Sequence, residues 1–406
     1  MEENIIREIL SNNPSNNMRS YIWDKDNLKK IINILLSVKN EETKCAYIYG
    51  DRHVGKTTFG NIIKYINNNN KVTGFLKENI DKEIESIYFD FYISNEVRTN
   101  SKKIENIIKS INKDLQEVAV GKYKSKIYEI IDTVNITAKS SNCMEIGVSV
   151  KFRFREDYAI NIIKVLDDAY KKDKDGLIII IDNFSSICDI ENSGRFIKEF
   201  LEYIIGKNYQ NLLLVLIGNI TSLNVIKNEV TQICKDTIIH IKPLNLDQVK
   251  NYFKKYLNNC NKKTNCFEDI CLKLYQYTSG YPLYLKKYLR EIHQLRNMEI
   301  KKDNFLKATD IYVKEVEQEI EYIICRLERK EVIILKAIIL EFNGNVENIN
   351  LLNKKIKFYY SSKREVEKYL QKLNNKGLIH LSFWSTKILN ELIYKTLDRR
   401  LREDEF

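Results

Sequence analysis

The chain is poor in residues that break regular structure, with 13 glycines and 3 prolines in 406 residues. Sandwiches and barrels spend Gly and Pro at their many corners, so this scarcity disfavours them and favours long helices with few interruptions. Its eight cysteines (Cys45, Cys143, Cys188, Cys234, Cys260, Cys266, Cys271 and Cys325) form no C-x-x-C pair. Only Cys260, Cys266 and Cys271 cluster, and with His293 distant the spacing of a zinc site fails. The longest apolar strings, Leu177 to Ile181 and Leu212 to Ile217, are strand-sized, so no membrane span is expected. The acidic start Met1-Glu2-Glu3-Asn4 is not followed by the apolar segment of a signal peptide. A cytoplasmic protein with reduced thiols is the expectation.

What is present describes a globular chain. The hydrophobic share is 44% and the charged share 30%, enough to bury real cores. At roughly 150 residues per domain there is room for two or three domains. Lys+Arg 66 against Asp+Glu 55 gives a net charge of +11, which suits polyanions: nucleic acid, nucleotide phosphates or anionic lipid. Lys, Ile and Asn are abundant throughout, so solvated helix faces account for the surplus equally well.

Residues 1–20, rich in Asn and Ser with Pro14, read as a loose arm. Between 21 and 243, apolar runs without alternation (Cys45 to Tyr49, Leu177 to Ile181, Leu212 to Ile217, Thr237 to Ile241) alternate with helical patterns over Asp26 to Val38, Lys56 to Asn67, 101–133 and 157–171. A further strand is read over Ser86 to Tyr92, and a small inserted hairpin over Val134 to Phe154. Strands alternating with helices imply an α/β fold with a doubly wound parallel sheet. Residues 244–325 are helical, interrupted at Ser279-Gly280-Tyr281-Pro282, and read as a lid and connector. Residues 326–406 form a third unit and a tail.

Gly50-Asp51-Arg52-His53-Val54-Gly55-Lys56-Thr57 satisfies G-x-x-x-x-G-K-[ST] between a strand and a helix. The glycines let backbone N–H groups turn inward, and the helix N-terminus adds positive potential. Lys56 is placed to reach the β and γ phosphates, and Thr57 to offer a hydroxyl to Mg²⁺. Gly50 to Thr57 and the adjoining Thr58 are therefore candidate nucleotide contacts. The metal also needs a carboxylate at a neighbouring strand end, and Asp182 follows the Ile run. Asn183 stands after it, where hydrolysis often uses a Glu; an amide orients water but cannot take its proton, so slow turnover is expected. Asn219, after Leu212 to Ile217 and Gly218, either senses a γ-phosphate or caps its own loop. Lys56, Asp182, Asn183 and Asn219 are thus the candidate catalytic set.

These residues, with Gly280-Tyr281-Pro282 and the C-terminal pattern below, resemble the archaeal-type ATPases and STAND-class P-loop NTPases, related to AAA-type modules. The resemblance covers about residues 20–385. It implies a sheet of order 5-1-4-3-2, ATP as nucleotide, and Pro282 near the adenine. Tyr21 to Asp26 look like the segment packing near the base in that group, and the inserted hairpin is similar to one of its features. Asn183 departs from the acidic residue usual there. No arginine finger can be assigned, Arg195 and Arg290 being merely available.

In the third unit, Glu331 to Phe342, Ile349 to Ile356 and a helix opened by the capping box Ser362-x-x-Glu365 lead through Gly377 into Leu378 to Phe383. This resembles a winged helix-turn-helix, whose third helix enters a DNA major groove. Over 363–376, five positive residues (Lys363, Arg364, Lys368, Lys372, Lys376) against Glu365 and Glu367 leave a surplus of +3. Lys363, Arg364, Lys368 and Lys372 are the candidate contacts to double-stranded DNA; such modules also dock proteins. The leading expectation is an ATP-dependent switch coupled to DNA. The alternatives are an oligomeric AAA-type DNA-remodelling or initiator ATPase, and a non-enzymatic nucleotide-bound scaffold.

Overall fold

A computed structural model describes residues 25–39, 44–68, 91–93, 97–98, 176–182, 184, 212–220, 222–223, 237–295, 298–382 and 384–402. The arm 1–20, the helical patterns 101–133 and 157–171, the hairpin 134–154 and Asn183 lie outside the described residues. The described residues divide into two compact units. One contains those within 23–49 and 59–240, and the other those within 50–58 and 241–406.

The first unit is built on a parallel sheet. Among the described residues its strands are β1 (Lys44–Tyr49), β2 (Phe91–Ile93), β3 (Val97–Arg98), β4 (Gly176–Asp182), β5 (Leu212–Gly218) and β6 (Ile238–His240), and its helices are α1 (Lys25–Lys39) and most of α2 (Lys56–Asn68). Across the sheet the order is β6-β1-β5-β4-β2, with β3 continuing along β4 beyond β2. β1 pairs with β5 from Lys44↔Leu213 to Tyr49↔Gly218, and β5 with β4 from Leu212↔Leu177 to Leu216↔Ile181. Every residue of β5 is buried, as a central parallel strand covered on both faces requires. The α1 stripe Leu28, Ile31, Ile32, Leu35 and Val38 is fully buried.

The second unit starts with a helical lid. It comprises α3 (Leu246–Asn259), α4 (Phe267–Thr278), α5 (Pro282–Gln294) and the long α6 (Lys302–Ile324). Asn245 and Gln248 form a reciprocal capping box at the start of α3, each bond 2.9 Å. α5 and α6 pack through Tyr288 stacked on Tyr312 at 4.4 Å, flanked by the Lys287–Glu319 pair and Arg290–Glu315 at 2.6 Å. Gly280 has φ +73, and a Cβ there would fall on the Leu244 carbonyl, so the turn into α5 admits only glycine.

The C-terminal module follows, with α7 (Arg329–Lys336), β7 (Asn345–Val346), α8 (Ile349–Ile356), α9 (Lys363–Asn375), β8 (Ile379–Leu381), β9 (Thr386–Ile388) and α10 (Glu391–Arg402). Its antiparallel sheet has the order β7-β9-β8. Ile334, Leu335, Ile338, Ile339, Leu352, Val366, Leu370 and Leu373 form its core. The capping box read at Ser362 and Glu365 is half made. Ser362 Oγ accepts from the Glu365 amide at 3.3 Å, but the Glu365 carboxylate turns to Ser361 N (2.8 Å) and to Lys330. The segment read as a tail contains α10, whose Leu392, Ile393, Leu397 and Leu401 are buried and whose Arg400 pairs with Glu321 of α6 at 2.6 Å.

Two carboxylates at the start of α7, Glu328 at its N-cap and Glu331 in its first turn, pair with the lysines at the C-terminal end of α9. Glu328 holds Lys372 at 2.5 Å, and the fully buried Glu331 holds Lys376 at 2.6 Å. Lys376→Met leaves the Glu331 carboxylate buried without its cation and is expected to cost about 3 kcal/mol in urea unfolding. A loss within experimental error would show that this carboxylate does not depend on the pair.

Candidate functional site: a phosphate-binding loop

β1 is flanked on both sides by paired strands, so its C-terminal end is a fixed point from which the chain enters the loop 50–55. Two successive features shape the turn. His53 and Gly55 take positive φ (71° and 98°), and a Cβ on Gly50 would strike the Ile241 carbonyl and Val54. The chain then enters α2 at Lys56, where the first helical N–H groups have no intrahelical acceptor.

Lys56 Nζ folds back over the loop and donates to the carbonyls of Gly50 (3.0 Å) and Asp51 (2.6 Å). An ammonium held on neutral carbonyls beside a helix N-terminus is a donor set suited to a polyanion, because phosphate oxygens are stronger acceptors than carbonyls. The residues present therefore fit a nucleotide polyphosphate. Val54 and Thr58 are buried, Thr57 and Gly55 partly buried, and Arg52 is exposed.

The outward side chains of the loop meet the lid and the C-terminal module. Asp51, 6% exposed, accepts from Tyr281 Oη at 2.9 Å, from His380 Nδ1 and from Asn374 Nδ2 at 3.4 Å. Burial pushes its carboxyl up, but the bond and charge of His380 and the bonds from Tyr281 and Asn374 outweigh this and hold it below the ordinary range. Arg52 Nη1 donates to the Asn375 carbonyl at 2.6 Å. The His53 ring packs edge-on against Tyr284, and burial with the nearby charges of Arg52, Lys56 and Lys287 lowers its pKa to about 3. His53 is therefore a neutral packing group and a poor base near neutral pH.

In the sheet unit, Asp182 is buried and ends β4, and Asn219 follows β5 on the same strand edge. Asn219 Oδ1 accepts from the Ser222 amide at 2.9 Å, so its carboxamide caps its own loop, whatever else it does. Pro282 is the first residue of α5. On α9, Lys363, Arg364 and Lys368 are exposed, whereas Lys372 is tied to Glu328. Arg290 is engaged by Glu291 and Glu315. The partners of Asp51 were not legible in advance: Tyr281 stood inside the lid motif without a role, and nothing marked Asn374 or His380.

A strand, a glycine-hinged turn and a lysine-headed helix on a parallel sheet define a P-loop nucleotide-binding protein. The sequence profile of the ATPase domain predominantly from Archaea matches residues 26–289, and the chain belongs to that family. Among solved structures it is similar to the Walker-type ATPase paby2304 of Pyrococcus abyssi, with TM-score 0.56 and 13% identity over 96% of this chain and 99% of that one. It is also similar to the ORC2 protein of Aeropyrum pernix in ADPNP–ADP complexes, with TM-score 0.54 and 14% identity over 98% of each chain. At these identities the likeness is one of fold. No curated protein matches in sequence. Among the described residues, no helix is long and apolar enough to cross a membrane.

Because His53 is neutral when folded and has an ordinary pKa of 6.5, the unfolded chain takes up a proton that the folded chain refuses. This contribution to stability is present above pH 6.5 and is lost as pH falls toward about 3. His53→Asn, which tolerates the positive φ, is expected to flatten the decline in denaturation midpoint over that window. Identical pH slopes for the two proteins would contradict the assignment.

Proposed function

We propose that the chain is an ATP-binding, slowly hydrolysing ATPase of the AAA type that acts on double-stranded DNA through its C-terminal module. The observation that carries the nucleotide reading is Lys56, stapled to loop carbonyls at the head of α2. In this reading the loop amides and the α2 N-terminus receive the phosphates, and Lys56 exchanges its carbonyl acceptors for phosphate oxygens. Thr57 and Asp182 hold Mg²⁺, which when bound offsets the charge that develops on the phosphates. Asn183 and Asn219 orient water without deprotonating it, so turnover is slow. Pro282 borders the base.

Of the readings drawn from the sequence, the AAA-type ATPase handling DNA is better supported than a stand-alone switch. The likeness to the ORC2 protein, itself in complex with ADPNP and ADP, extends over 98% of both chains rather than over the nucleotide domain alone. Self-assembly into homo-oligomers goes with this reading. The C-terminal helices with their three-stranded sheet serve as a winged helix, and the exposed Lys363, Arg364 and Lys368 on α9 offer positive charge to phosphates.

Lys56→Ala is expected to reduce nucleotide affinity and turnover by about 100-fold or more, and Asp182→Asn to abolish turnover while leaving nucleotide bound. Steady-state phosphate release with a fluorescent-nucleotide titration measures both, and wild-type activity in either variant would refute the assignment. Charge reversal of Lys363, Arg364 and Lys368 together is expected to weaken duplex binding about tenfold or more and to flatten its salt dependence. Unchanged duplex affinity in fluorescence anisotropy would remove α9 from the DNA account.

A further inference from the structure

The side chains of three consecutive loop residues, whose main-chain amides face the phosphates in the proposed reading, meet one corner of the C-terminal module. The Asp51 carboxylate, nearly buried, is shared by Tyr281 of the lid turn, Asn374 at the end of α9 and His380 in β8. Asn374 is a bridge, since its amide also donates to the Ile379 carbonyl at 2.9 Å and so ties α9 to β8. Arg52 places its guanidinium on the Asn375 carbonyl at 2.6 Å, at the negative end of the α9 dipole. Gly377, with φ +77, passes over the edge of His53, where an added Cβ would lie 3.5 Å from Nε2.

The Asp51 main chain is held from the other side. Its carbonyl, with that of Gly50, accepts from Lys56 Nζ. One ammonium thus staples the segment from which the Asp51 side chain reaches the module. A phosphate oxygen is an ionised acceptor and forms the stronger, charge-assisted bond to that ammonium. Lys56 therefore cannot give its full donor capacity to phosphate and keep the staple intact.

We propose that Asp51, His380 and Asn374 form a latch that holds the α9–β8 corner on the phosphate loop, and that drawing Lys56 toward phosphate loosens it. The latch makes the α9 corner a reporter of the loop's state. The same helix carries Lys363, Arg364 and Lys368 at its other end, so the latch couples the two ends of one rigid element. The second half of this inference rests on the nucleotide reading of the loop; the first half does not.

The test is hydrogen exchange over residues 374–381 in the full-length chain, with and without Mg-ATP, for wild type, Asp51→Asn and His380→Ala, with His380→Gln as the variant that keeps a donor. Without nucleotide, both Asp51→Asn and His380→Ala are expected to exchange roughly tenfold faster there than wild type, with α6 unchanged and His380→Gln intermediate. Wild-type protection in Asp51→Asn and His380→Ala overturns the latch, and faster exchange throughout the chain instead of at this corner overturns it as well. With Mg-ATP, wild type is expected to move toward the variants, while the variants change little. Nucleotide bound to wild type with no change over 374–381 overturns the coupling. If wild type binds no nucleotide, the reading of the loop falls and the coupling with it, whereas the nucleotide-free comparison still decides the latch.

Discussion

The turn between Tyr49 and Lys56 brings a helix N-terminus and an ammonium together within a few residues, and such a concentration of positive potential must be compensated. In this structure the compensation is local. Lys56 rests on the Gly50 and Asp51 carbonyls, and the buried Asp51 carboxylate takes three donors. The turn has little freedom to relax, because β1 runs into it from between two paired strands and the glycines at 50 and 55 allow a close, left-handed path.

Much of this architecture could be read from the residues because the signals were local. Unbroken apolar runs marked β1, β4 and β5, the 3.6-residue stripe marked α1, and the G-x-x-x-x-G-K-T string marked the loop and the start of α2. Ile349 to Ile356 is a helix with the bounds its periodicity gave. The misreadings had equally physical causes. Glu365 was spaced for a reciprocal cap, yet Lys330 and Ser361 compete for its carboxylate. The segment read as a tail holds α10, where Leu392, Ile393, Leu397 and Leu401 recur at helical spacing and Arg400 is paired with α6. The Asp51 cluster was out of reach of pattern reading, since Asp51 lies more than 200 positions from each of its partners and no motif links them.

The positive surplus also takes on structure. Part of it is consumed within the fold: Lys287 and Arg290 face Glu319 and Glu315, Lys372 and Lys376 face Glu328 and Glu331, and Arg399 and Arg400 face Glu321. Net charge is therefore a poor guide to where a polyanion would sit. Lys363, Arg364 and Lys368, within the first two turns of α9, stay exposed, and the proposed duplex contact rests on them rather than on the overall surplus.

The central claim is that the loop 50–57 grips a nucleotide polyphosphate. Native mass spectrometry of the purified chain with Mg-ATP measures it most directly. The account predicts one nucleotide retained per chain; a spectrum with none retained, for ATP or for any other nucleoside triphosphate, would contradict it.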